Sequence, residues 1–499
     1  MKHGMMCGTA VGLAIGAGLV IAAPASAQDA NGSCASLSGK MLGDHGTIVS
    51  SKTVAADAAK HLPAYCEVQA TLKPVPGSNI GVVYRLPEKW NGKVLGLGGG
   101  GWAGNVTLMA ATPGLKRGYA TAQTDGGHPG TSVWDTSWTA NPEARKDFAY
   151  RAIHEMTVAA KRLVQLNYGK PQTRTYYLGC STGGRMGMME AQRFPADYDG
   201  IIAGAPVYTL QVQTSAILRN QMFGAPGAGF TSAQLAMVND AVLKACDATD
   251  GQKDGVINNP QSCRWDPATI ACKSGQPGGQ CLAPAQVKAL QTAYKGIRAP
   301  DGNWAAFPLE RGGERGWSLF IDTAGTGNDA THGGGMMNMK SLLFGQTPVN
   351  FSAFRADKDV SVARSSEFAH IYEAANPDLD AFVARGGRLI LWHGLSDPGP
   401  SPVGTIDYYQ AVQRTHPNAA RNVRLFLDPG VEHCGGGPGS DQPDTLTALE
   451  QWVEQGKAPA TVIATRRDGS RTRPLCPFPQ QAHYDGKGNA DDPKSYWCE

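Results

Sequence analysis

The chain has 499 residues, of which 41% are hydrophobic, enough for a sizeable folded core. Its 45 Lys and Arg residues nearly balance 42 Asp and Glu residues, and no basic block stands out. Nucleic acids require a positive surface, so we expect no nucleic-acid partner. The 63 glycines and 32 prolines are spread along the chain, which excludes a collagen-like repeat and predicts many turns and long loops.

The N-terminus has the pattern of a secretory signal peptide. A weakly basic start precedes an apolar run from Ala10 to Ala23, and small residues at 25–27 form a cleavage site. The alternative is an uncleaved membrane anchor, but the run is short and rich in Gly and Ala. We therefore predict a signal peptide at 1–27, secretion or a periplasmic location, and no association with a membrane.

Eleven cysteines occur, and ten remain once Cys7 leaves with the signal peptide. An even number in an exported chain indicates disulfides rather than metal thiolates. Neighbouring positions suggest four local pairs: Cys34 with Cys66, Cys246 with Cys263, Cys272 with Cys281, and Cys476 with Cys498. Cys180 and Cys434 are left, either bonded to each other or free, because spacing alone does not fix connectivity.

Short apolar runs alternate with helical patterns, which predicts a parallel or mixed sheet with helices on its faces. The predicted strands are Ile80–Leu86, Lys93–Leu97, Tyr119–Thr124, Thr175–Leu178, Gly200–Ala203, Arg388–Trp392 and Val423–Leu427. Apolar residues at helical spacing predict helices at Asp147–Leu166 and Thr445–Glu454.

Strand signals fade between residues 207 and 375, where glycines and two close cysteine pairs take over. We interpret 207–375 as a lid inserted into a catalytic domain that consists of 28–206 and 376–499. Insertions of this size commonly shape a substrate pocket. An independent domain is the alternative, although no flexible linker flanks the segment.

The segment Gly179-Cys180-Ser181-Thr182-Gly183 matches the nucleophile-elbow pattern G-x-S-x-G. A β-rich run precedes it and a helical pattern follows, which is the strand–turn–helix context that this motif requires. Ser181 is therefore the predicted nucleophile, and an α/β-hydrolase fold is the predicted architecture. The helix start, with the backbone N–H of Thr182, is expected to stabilise an oxyanion.

The remaining catalytic residues follow from the chain order serine, acid, histidine of this fold. Asp397 lies in the turn after the predicted strand that ends near His393, and His433 lies in a glycine-rich turn after the next strand. We therefore predict a triad of Ser181, Asp397 and His433. Asp428 is the second candidate for the acid, and His393 is expected to line the pocket.

The segment Gly96–Gly101 contains five glycines and formally matches the dinucleotide pattern G-x-G-x-x-G. No acidic residue follows at the distance expected for a ribose contact, so we expect no organic cofactor. A glycine-rich loop after an early strand instead suits the second half of an oxyanion hole, with Gly100 or Gly101 as donor. A simple tight turn is the alternative.

The segment Asp247–Val256 carries carboxylates at intervals of three and four residues, separated by glycines. Carboxylate and carbonyl oxygens in such a loop suit Ca²⁺. The acidic spacing differs from that of an EF-hand, and no glutamate closes the loop. A solvated acidic turn is the alternative.

Four segments together resemble the tannase and feruloyl esterase family of α/β-hydrolases: Gly179–Arg185, Cys246–Gly255, His393–Pro398 and Glu432–Cys434. The resemblance covers nearly the whole mature chain. It implies that the triad is as given above, that Cys180 and Cys434 are disulfide-bonded beneath it, and that the lid binds a structural Ca²⁺. The implied Ca²⁺ ligands are the side chains of Asp247, Asp250 and Asp254 and the carbonyls of Gln252 and Val256.

The resemblance also implies the substrate class, which is esters of aromatic acids. We predict an exported serine esterase that hydrolyses phenolic esters, such as feruloyl or galloyl esters, through an acyl-enzyme. The substrate is a small molecule, free or attached to a plant polysaccharide or polyphenol. The alternatives are a terephthalate-monoester hydrolase of the same family and a non-catalytic phenolic- or carbohydrate-binding protein. Candidate lid contacts with the aromatic acid are Trp304, Arg311, Arg315 and Trp317.

Overall fold

A computed structural model describes residues 34–104, 106–276, 279–326, 340–345, 350–415 and 421–499, together with Met1. Apart from that first residue, the predicted signal peptide at 1–27 lies outside the described residues. In the described ranges, no helix is long and apolar enough to cross a bilayer.

A nine-stranded mixed sheet forms the centre of the molecule. Its strands are β1 (Gly46–Val54), β2 (Tyr65–Leu72), β3 (Ile80–Pro87), β4 (Lys93–Leu97), β5 (Ala120–Thr124), β6 (Arg174–Cys180), β7 (Gly200–Gly204), β10 (Arg388–Gly394) and β11 (Val423–Asp428). They lie in the order β1-β2-β3-β5-β4-β6-β7-β10-β11. The first four in this order pair antiparallel, and the strands from β5 to β11 pair parallel.

Short strands form small sheets outside the central one. They are β8 (Ile297–Arg298) with β9 (Trp304–Ala306), β12 (Gln442–Pro443) with β13 (Val462–Thr465) and β14 (Thr472–Leu475), and β15 (Ala482–Tyr484) with β16 (Tyr496–Cys498). In the C-terminal part of the chain, β13 pairs antiparallel with β14, and β15 pairs antiparallel with β16.

Helices cover the central sheet and form much of the insertion. They are α1 (Leu108–Lys116), α2 (Pro142–Lys146), α3 (Ala152–Tyr168), α4 (Thr182–Arg193), α5 (Gln211–Phe223), α6 (Ser232–Cys246), α7 (Pro284–Lys295), α8 (Lys340–Phe344), α9 (Asp359–Arg364), α10 (Glu367–Tyr372), α11 (Asp380–Ala384), α12 (Pro402–Thr415) and α13 (Thr445–Gln455). A π-helical turn, Asp147–Arg151, leads directly into α3.

Alternate side chains of the inner strands enter two separate apolar cores. Tyr177 and Ile201 pack with residues of α3, α4 and α12 on one face of the sheet. Tyr176 and Ile202 pack with residues of α1 and α13 on the other face. Because successive side chains of a strand point to opposite faces, a strand covered on both sides is apolar throughout. This explains why the inner strands are continuous apolar runs in the sequence.

The insertion contains a third apolar core that is separate from the other two, with buried Phe223, Leu235, Leu290 and Trp317. Helix α5 of the predicted insertion also contributes Ile217 and Leu218 to the apolar core that contains residues of α3 and α4. The insertion is thus attached to the catalytic core through a buried surface. Its exact limits, 207 and 375, stay a prediction.

The predicted α/β-hydrolase fold is confirmed, and the seven predicted strands agree with the observed ones to within two residues at each end. The helix predicted at Asp147–Leu166 begins as the π-helical turn and continues as α3. Sequence patterns missed β1 and β2, because polar residues alternate with buried ones in these strands at the edge of the sheet.

Five disulfides join the cysteines of the described residues. The four local pairs suggested by neighbouring positions are all present. The fifth bond joins Cys180 to Cys434 across 254 residues of sequence. It connects the end of β6 to the turn after β11, two points that the sheet topology brings to the same edge.

Candidate active site

Ser181 occupies a sharp turn between β6 and α4. Its φ of 62° lies in the left-handed region, where a residue with a side chain is strained. Two backbone hydrogen bonds hold the turn: Ser181 N donates to Gly204 O at 2.9 Å, and Val207 N donates to Ser181 O at 3.2 Å. This is the geometry of a nucleophile elbow, which raises the hydroxyl above the edge of the sheet.

Glycines flank this turn because two backbone segments approach each other closely. A Cβ atom on Gly98 would lie 2.5 Å from Gly183 Cα, and one on Gly184 would lie 2.4 Å from Gly204 O. Real Cβ atoms do not make contacts this short. The glycine-rich loop can therefore lie beside the start of α4 only with glycine at 98, and α4 can lie against the end of β7 only with glycine at 184.

Asp397 and His433 form a hydrogen-bonded pair at the ends of neighbouring strands. His433 Nδ1 lies 2.7 Å from Asp397 Oδ2, and Gly399 N donates to Asp397 Oδ1 at 2.8 Å. Burial alone would raise the pKa of Asp397, but the charge of His433 and hydrogen bonds from His393 and His433 lower it to about 2. The ionised carboxylate holds the Nδ1 proton, so that Nε2 is free to accept another.

Two further buried side chains support Asp397. His393 Nε2 lies 3.2 Å from Asp397 Oδ2, and its Nδ1 lies 2.7 Å from Thr405 Oγ1. The His393 ring is fully buried. It does not line the described wall of the cavity, where the sequence analysis expected it. Arg219 of α5 donates to Pro398 O at 2.9 Å and thereby holds the turn that carries Asp397.

Asp428, the second candidate for the acid, has a different environment. Its carboxyl is buried, and Oδ2 has no hydrogen-bond partner among the described residues. Burial raises its pKa well above the ordinary value, and the charge of Asp441 raises it further. An acid in this state is poorly suited to stabilise a positively charged histidine.

A cavity of about 360 Å³ lies beside Ser181 and His433. Its walls come from the catalytic core and from the insertion, and they are mostly apolar or aromatic. The described lining residues are Gly100, Gly101, Trp102, Val133, Trp134, Cys180, Ser181, Val207, Val212, Gln213, Ala216, Leu319, Phe320, Pro400, His433 and Cys434. None of these is Lys, Arg, Asp or Glu, so the described wall suits a neutral aromatic group.

The glycine-rich loop reaches the same cavity through Gly100 and Gly101. Within the described part of the chain, the N–H groups of these two residues have no hydrogen-bond acceptor. Thr182 is the first residue of α4, and the N–H groups of a first helical turn have no acceptor within the helix. Unpaired donors next to a nucleophile are what an oxyanion hole requires.

The disulfide Cys180–Cys434 joins the turn that carries Ser181 to the turn that carries His433, with its Cα atoms 6.0 Å apart. Phe320 of the insertion packs against the His433 ring in an edge-to-face arrangement, with 4.8 Å between the ring centres. The ring is thus confined by the bond on one side and by the insertion on the other. The described contacts include no hydrogen bond between Ser181 and His433, and such bonds are often long before a substrate is bound.

Four of the five residues predicted to bind calcium line one cleft: Asp250, Gln252, Asp254 and Val256. The fifth, Asp247, accepts hydrogen bonds from loop N–H groups through both carboxylate oxygens, at 3.1–3.3 Å. The loop therefore wraps around this carboxylate.

The chemistry of these donors suits Ca²⁺, which prefers carboxylate and carbonyl oxygens. Burial raises the pKa of Asp250, and the nearby charges of Asp254 and Asp247 raise it further. A cation would relieve this crowding of like charges. Asp254 already has two positive partners, Arg473 at 3.1 Å and Arg471 at 3.6 Å.

Four lid residues are predicted to contact the aromatic acid, but none of them lines the described part of the cavity. They are Trp304, Arg311, Arg315 and Trp317. Arg311 lies over the ring of Tyr294 at 4.3 Å, and Trp317 is buried in the core of the insertion. Arg315 pairs with the exposed carboxylate of Asp240 at 2.6 Å. Trp304 instead donates from its indole N–H to Asp407 of α12 at 3.2 Å.

Sequence patterns did not indicate the residues of α5 that line the cavity wall. Val212 and Ala216 lie four positions apart on α5, a spacing that places them on one face of the helix. Gln213 lies between them, and its buried amide oxygen has no partner among the described residues. The spacing of Val212 and Ala216 on one helical face was a weak signal for these residues, because many buried helices have the same spacing.

The model of the family described as tannase and feruloyl esterase matches residues 66–499. Mono(2-hydroxyethyl) terephthalate hydrolase of Piscinibacter sakaiensis is 34% identical, over 89% of this chain and 86% of that protein. Feruloyl esterase B of Aspergillus niger is 31% identical, over 87% of this chain and 86% of that protein. The crystal structure of feruloyl esterase B from Aspergillus oryzae superposes with a TM-score of 0.84 and 27% identity, over 94% of this chain and all of that one.

The Cys180→Ala, Cys434→Ala double variant is expected to lose stability and Ser181 reactivity together. Removing the cross-link frees a loop of 254 residues, which costs about 5 kcal/mol in the chain-entropy model. Urea unfolding measures the stability, and the rate of labelling by a fluorophosphonate probe measures the reactivity of Ser181.

The matched control is the Cys272→Ala, Cys281→Ala variant, which opens a loop of only 9 residues that does not line the cavity. It is expected to lose about 3 kcal/mol and to keep the labelling rate of the parent. Unchanged labelling in the Cys180–Cys434 variant would show that packing alone positions the two turns.

Proposed function

Because this chain belongs to the tannase and feruloyl esterase family of carboxylic ester hydrolases, we propose that it cleaves esters of aromatic acids through an acyl-enzyme on Ser181. One observation carries the proposal: Ser181 and the Asp397–His433 pair meet at a single apolar cavity. Each of the three residues follows a parallel strand of the central sheet, so the fold itself fixes their relative positions.

The reaction begins when His433 Nε2 removes the Ser181 proton as the hydroxyl oxygen attacks the ester carbonyl. Asp397 holds the imidazole in the correct tautomer and stabilises the imidazolium. The N–H groups of Thr182 and of Gly100 or Gly101 stabilise the oxyanion. His433 then protonates the leaving alcohol, and water repeats the sequence to release the aromatic acid.

The cavity favours a neutral phenolic acyl group, as in feruloyl or galloyl esters. Trp102, Trp134 and Phe320 supply aromatic surface for the ring. The unpartnered amide oxygen of Gln213 can accept a hydrogen bond from a phenolic hydroxyl. We propose feruloyl- or galloyl-type esters, free or attached to plant polymers, as the substrates.

A terephthalate monoester is the second candidate, because one relative is named for that substrate. Its free carboxylate would enter a cavity whose described wall contains no cationic side chain. Burial of an unpaired carboxylate is unfavourable, so we place this candidate second.

The five disulfides support a location in an oxidising compartment, since such bonds persist outside the reducing cytosol. We propose export directed by residues 1–27. We also propose that the 247–256 loop binds one structural Ca²⁺ through the residues described above, and that this ion stabilises the insertion.

Ser181→Ala is expected to lower hydrolysis of methyl ferulate by about 10⁴- to 10⁶-fold, because the nucleophile is removed. Chromatography of released ferulic acid measures the rate. Ser215→Ala is the matched control, since Ser215 is a buried serine of α5 that does not line the cavity. Activity retained by Ser181→Ala would place the nucleophile elsewhere, and a parent that resists fluorophosphonate would favour a non-catalytic binding protein.

A second prediction ranks the substrates of the purified enzyme. Methyl ferulate and methyl gallate are expected to exceed mono(2-hydroxyethyl) terephthalate in kcat/KM by at least about 10-fold, because the terephthalate carboxylate would be buried unpaired. A faster reaction with the terephthalate ester would favour the second candidate.

Gln213→Leu tests the proposed contact with the phenol. It is expected to lower kcat/KM for methyl ferulate by about 3- to 10-fold, the effect of one hydrogen bond. Methyl 3,4-dimethoxycinnamate lacks the phenolic hydroxyl and serves as the matched substrate, for which no loss is expected. Equal losses for both esters would remove Gln213 from phenol recognition.

Calcium removal is expected to destabilise the protein without removing the triad. Dialysis against a chelator should lower the thermal midpoint, and Ca²⁺ at 100 times its dissociation constant should restore about 3 kcal/mol. Asp250→Asn should abolish the response to Ca²⁺. Asp485→Asn is the control, because Asp485 also accepts two loop N–H groups but lies in an exposed turn. Identical midpoints with and without Ca²⁺ would contradict the proposed site.

A further inference from the structure

Three side chains that can bind a metal meet outside the cavity. His154 on α3, Glu190 on α4 and Asp197 between α4 and β7 each offer one ligand atom, all within 4.8 Å of one another. His154 Nδ1 lies 2.6 Å from Asp197 Oδ2. The triad contacts described above use none of the three residues. We refer to these residues as the His154 cluster.

Glu190 distinguishes the His154 cluster from an ordinary surface ion pair. It is 1% exposed, and neither carboxylate oxygen has a hydrogen-bond partner among the described residues. Burial raises the pKa of Glu190 well above its ordinary value, and contact with Asp197 raises it further. A buried carboxylate in this position needs either a proton or a cation.

The surroundings fix the His154 ring and leave it accessible. Phe194 stacks on the ring with 4.0 Å between ring centres and an angle of 11° between the planes. The His154 side chain is 30% exposed, which gives an ion access from solvent, whereas Asp197 is 9% exposed. A rigid, partly open arrangement of this kind is typical of metal sites with one free coordination position.

The charges of the surrounding side chains also favour a cation with more than one positive charge. The two carboxylates carry two negative charges when ionised, and Lys161 lies 3.6 Å from Asp197. The charge of Arg185 acts on Glu190 as well, but its guanidinium hydrogen bonds go to backbone carbonyls. A divalent ion would replace the proton of Glu190 and pair both carboxylates at once.

We propose that His154, Glu190 and Asp197 bind a divalent transition-metal cation such as Zn²⁺, with water at the remaining position. One imidazole nitrogen with two carboxylate oxygens is a donor set that Zn²⁺ accepts, whereas Ca²⁺ and Mg²⁺ prefer oxygen alone. Zn²⁺ bonds of 2.0–2.2 Å put neighbouring ligand atoms about 3.3 Å apart, so side-chain shifts of about 1 Å complete the site.

The ion would act on the fold rather than on the ester. It joins α3 to α4 and to the connection that leads into β7. Because α4 begins directly after Ser181, the ion stiffens the helix that supports the nucleophile turn. Binding should therefore stabilise the protein and leave the chemistry of hydrolysis unchanged.

Titration of the chelator-treated protein with Co²⁺ tests the proposal, with excess Ca²⁺ present to occupy the 247–256 loop. We expect one equivalent to bind, with visible absorption of a site of low coordination number, displacement by Zn²⁺ and a higher thermal midpoint. His154→Ala and Glu190→Gln should each weaken binding by at least about 100-fold, since loss of even an outer partner costs 10–100-fold.

His45→Ala is the matched control, because His45 also contacts a carboxylate, that of Glu155 at 2.7 Å, but without a third ligand. It should bind Co²⁺ like the parent, and so should Asp250→Asn. Glu190→Gln keeps the side-chain volume, and circular dichroism establishes that each variant is folded. His154→Ala alters a partly exposed residue and provides the test if Glu190→Gln does not fold.

Two outcomes would overturn the proposal. The first is a parent protein that binds no Co²⁺ or Zn²⁺, which would mean that Glu190 and Asp197 share only a proton. The second is binding that persists in His154→Ala, which would place the metal elsewhere. Loss of binding in His154→Ala together with normal binding in His45→Ala would support it.

Discussion

A buried negative charge on Asp397 is the constraint on which the site depends. The carboxylate is fully buried, yet its hydrogen bonds and the charge of His433 keep it ionised. One of its supports comes from outside the catalytic core, since Arg219 of the insertion holds the Asp397 turn through Pro398 O. The insertion therefore contributes to the catalytic pair as well as to the cavity wall.

Glu190 shows what happens to a carboxylate of equal burial without such partners. Both groups are buried from water, but Asp397 is hydrogen-bonded to two histidines. Glu190 lies near His154 and Asp197, yet its carboxylate oxygens have no hydrogen-bond partner among the described residues. Burial disfavours the charge in both cases, and the neighbours decide the direction of the pKa shift. Burial alone therefore does not identify a catalytic acid. The partners do, and at Glu190 they indicate a site that a proton or a metal must complete.

Much of the fold could be predicted from the sequence, and so could the turns that bring the candidate residues Ser181, Asp397 and His433 to one edge of the sheet, because both follow from short-range patterns. Inner strands such as β7 are apolar on both faces, and Ser181 lies in a motif whose strand and helix are visible in the sequence. The cavity wall could not be predicted in the same way. Phe320 contacts His433, whereas Trp317, three residues earlier, is buried in the core of the insertion. Local sequence does not encode that difference, since it depends on how the insertion packs as a whole.

The Cys180–Cys434 bond also determines whether the polypeptide separates into two pieces when a protease cuts it. The insertion lies entirely between these two cysteines in sequence, so the bond closes a ring that contains it. A protease that cuts any loop of the insertion opens this ring but does not release a fragment. The portion with Ser181 and the portion with His433 stay in one molecule. The turns that carry Ser181 and His433 therefore stay covalently joined after a single proteolytic cut between them.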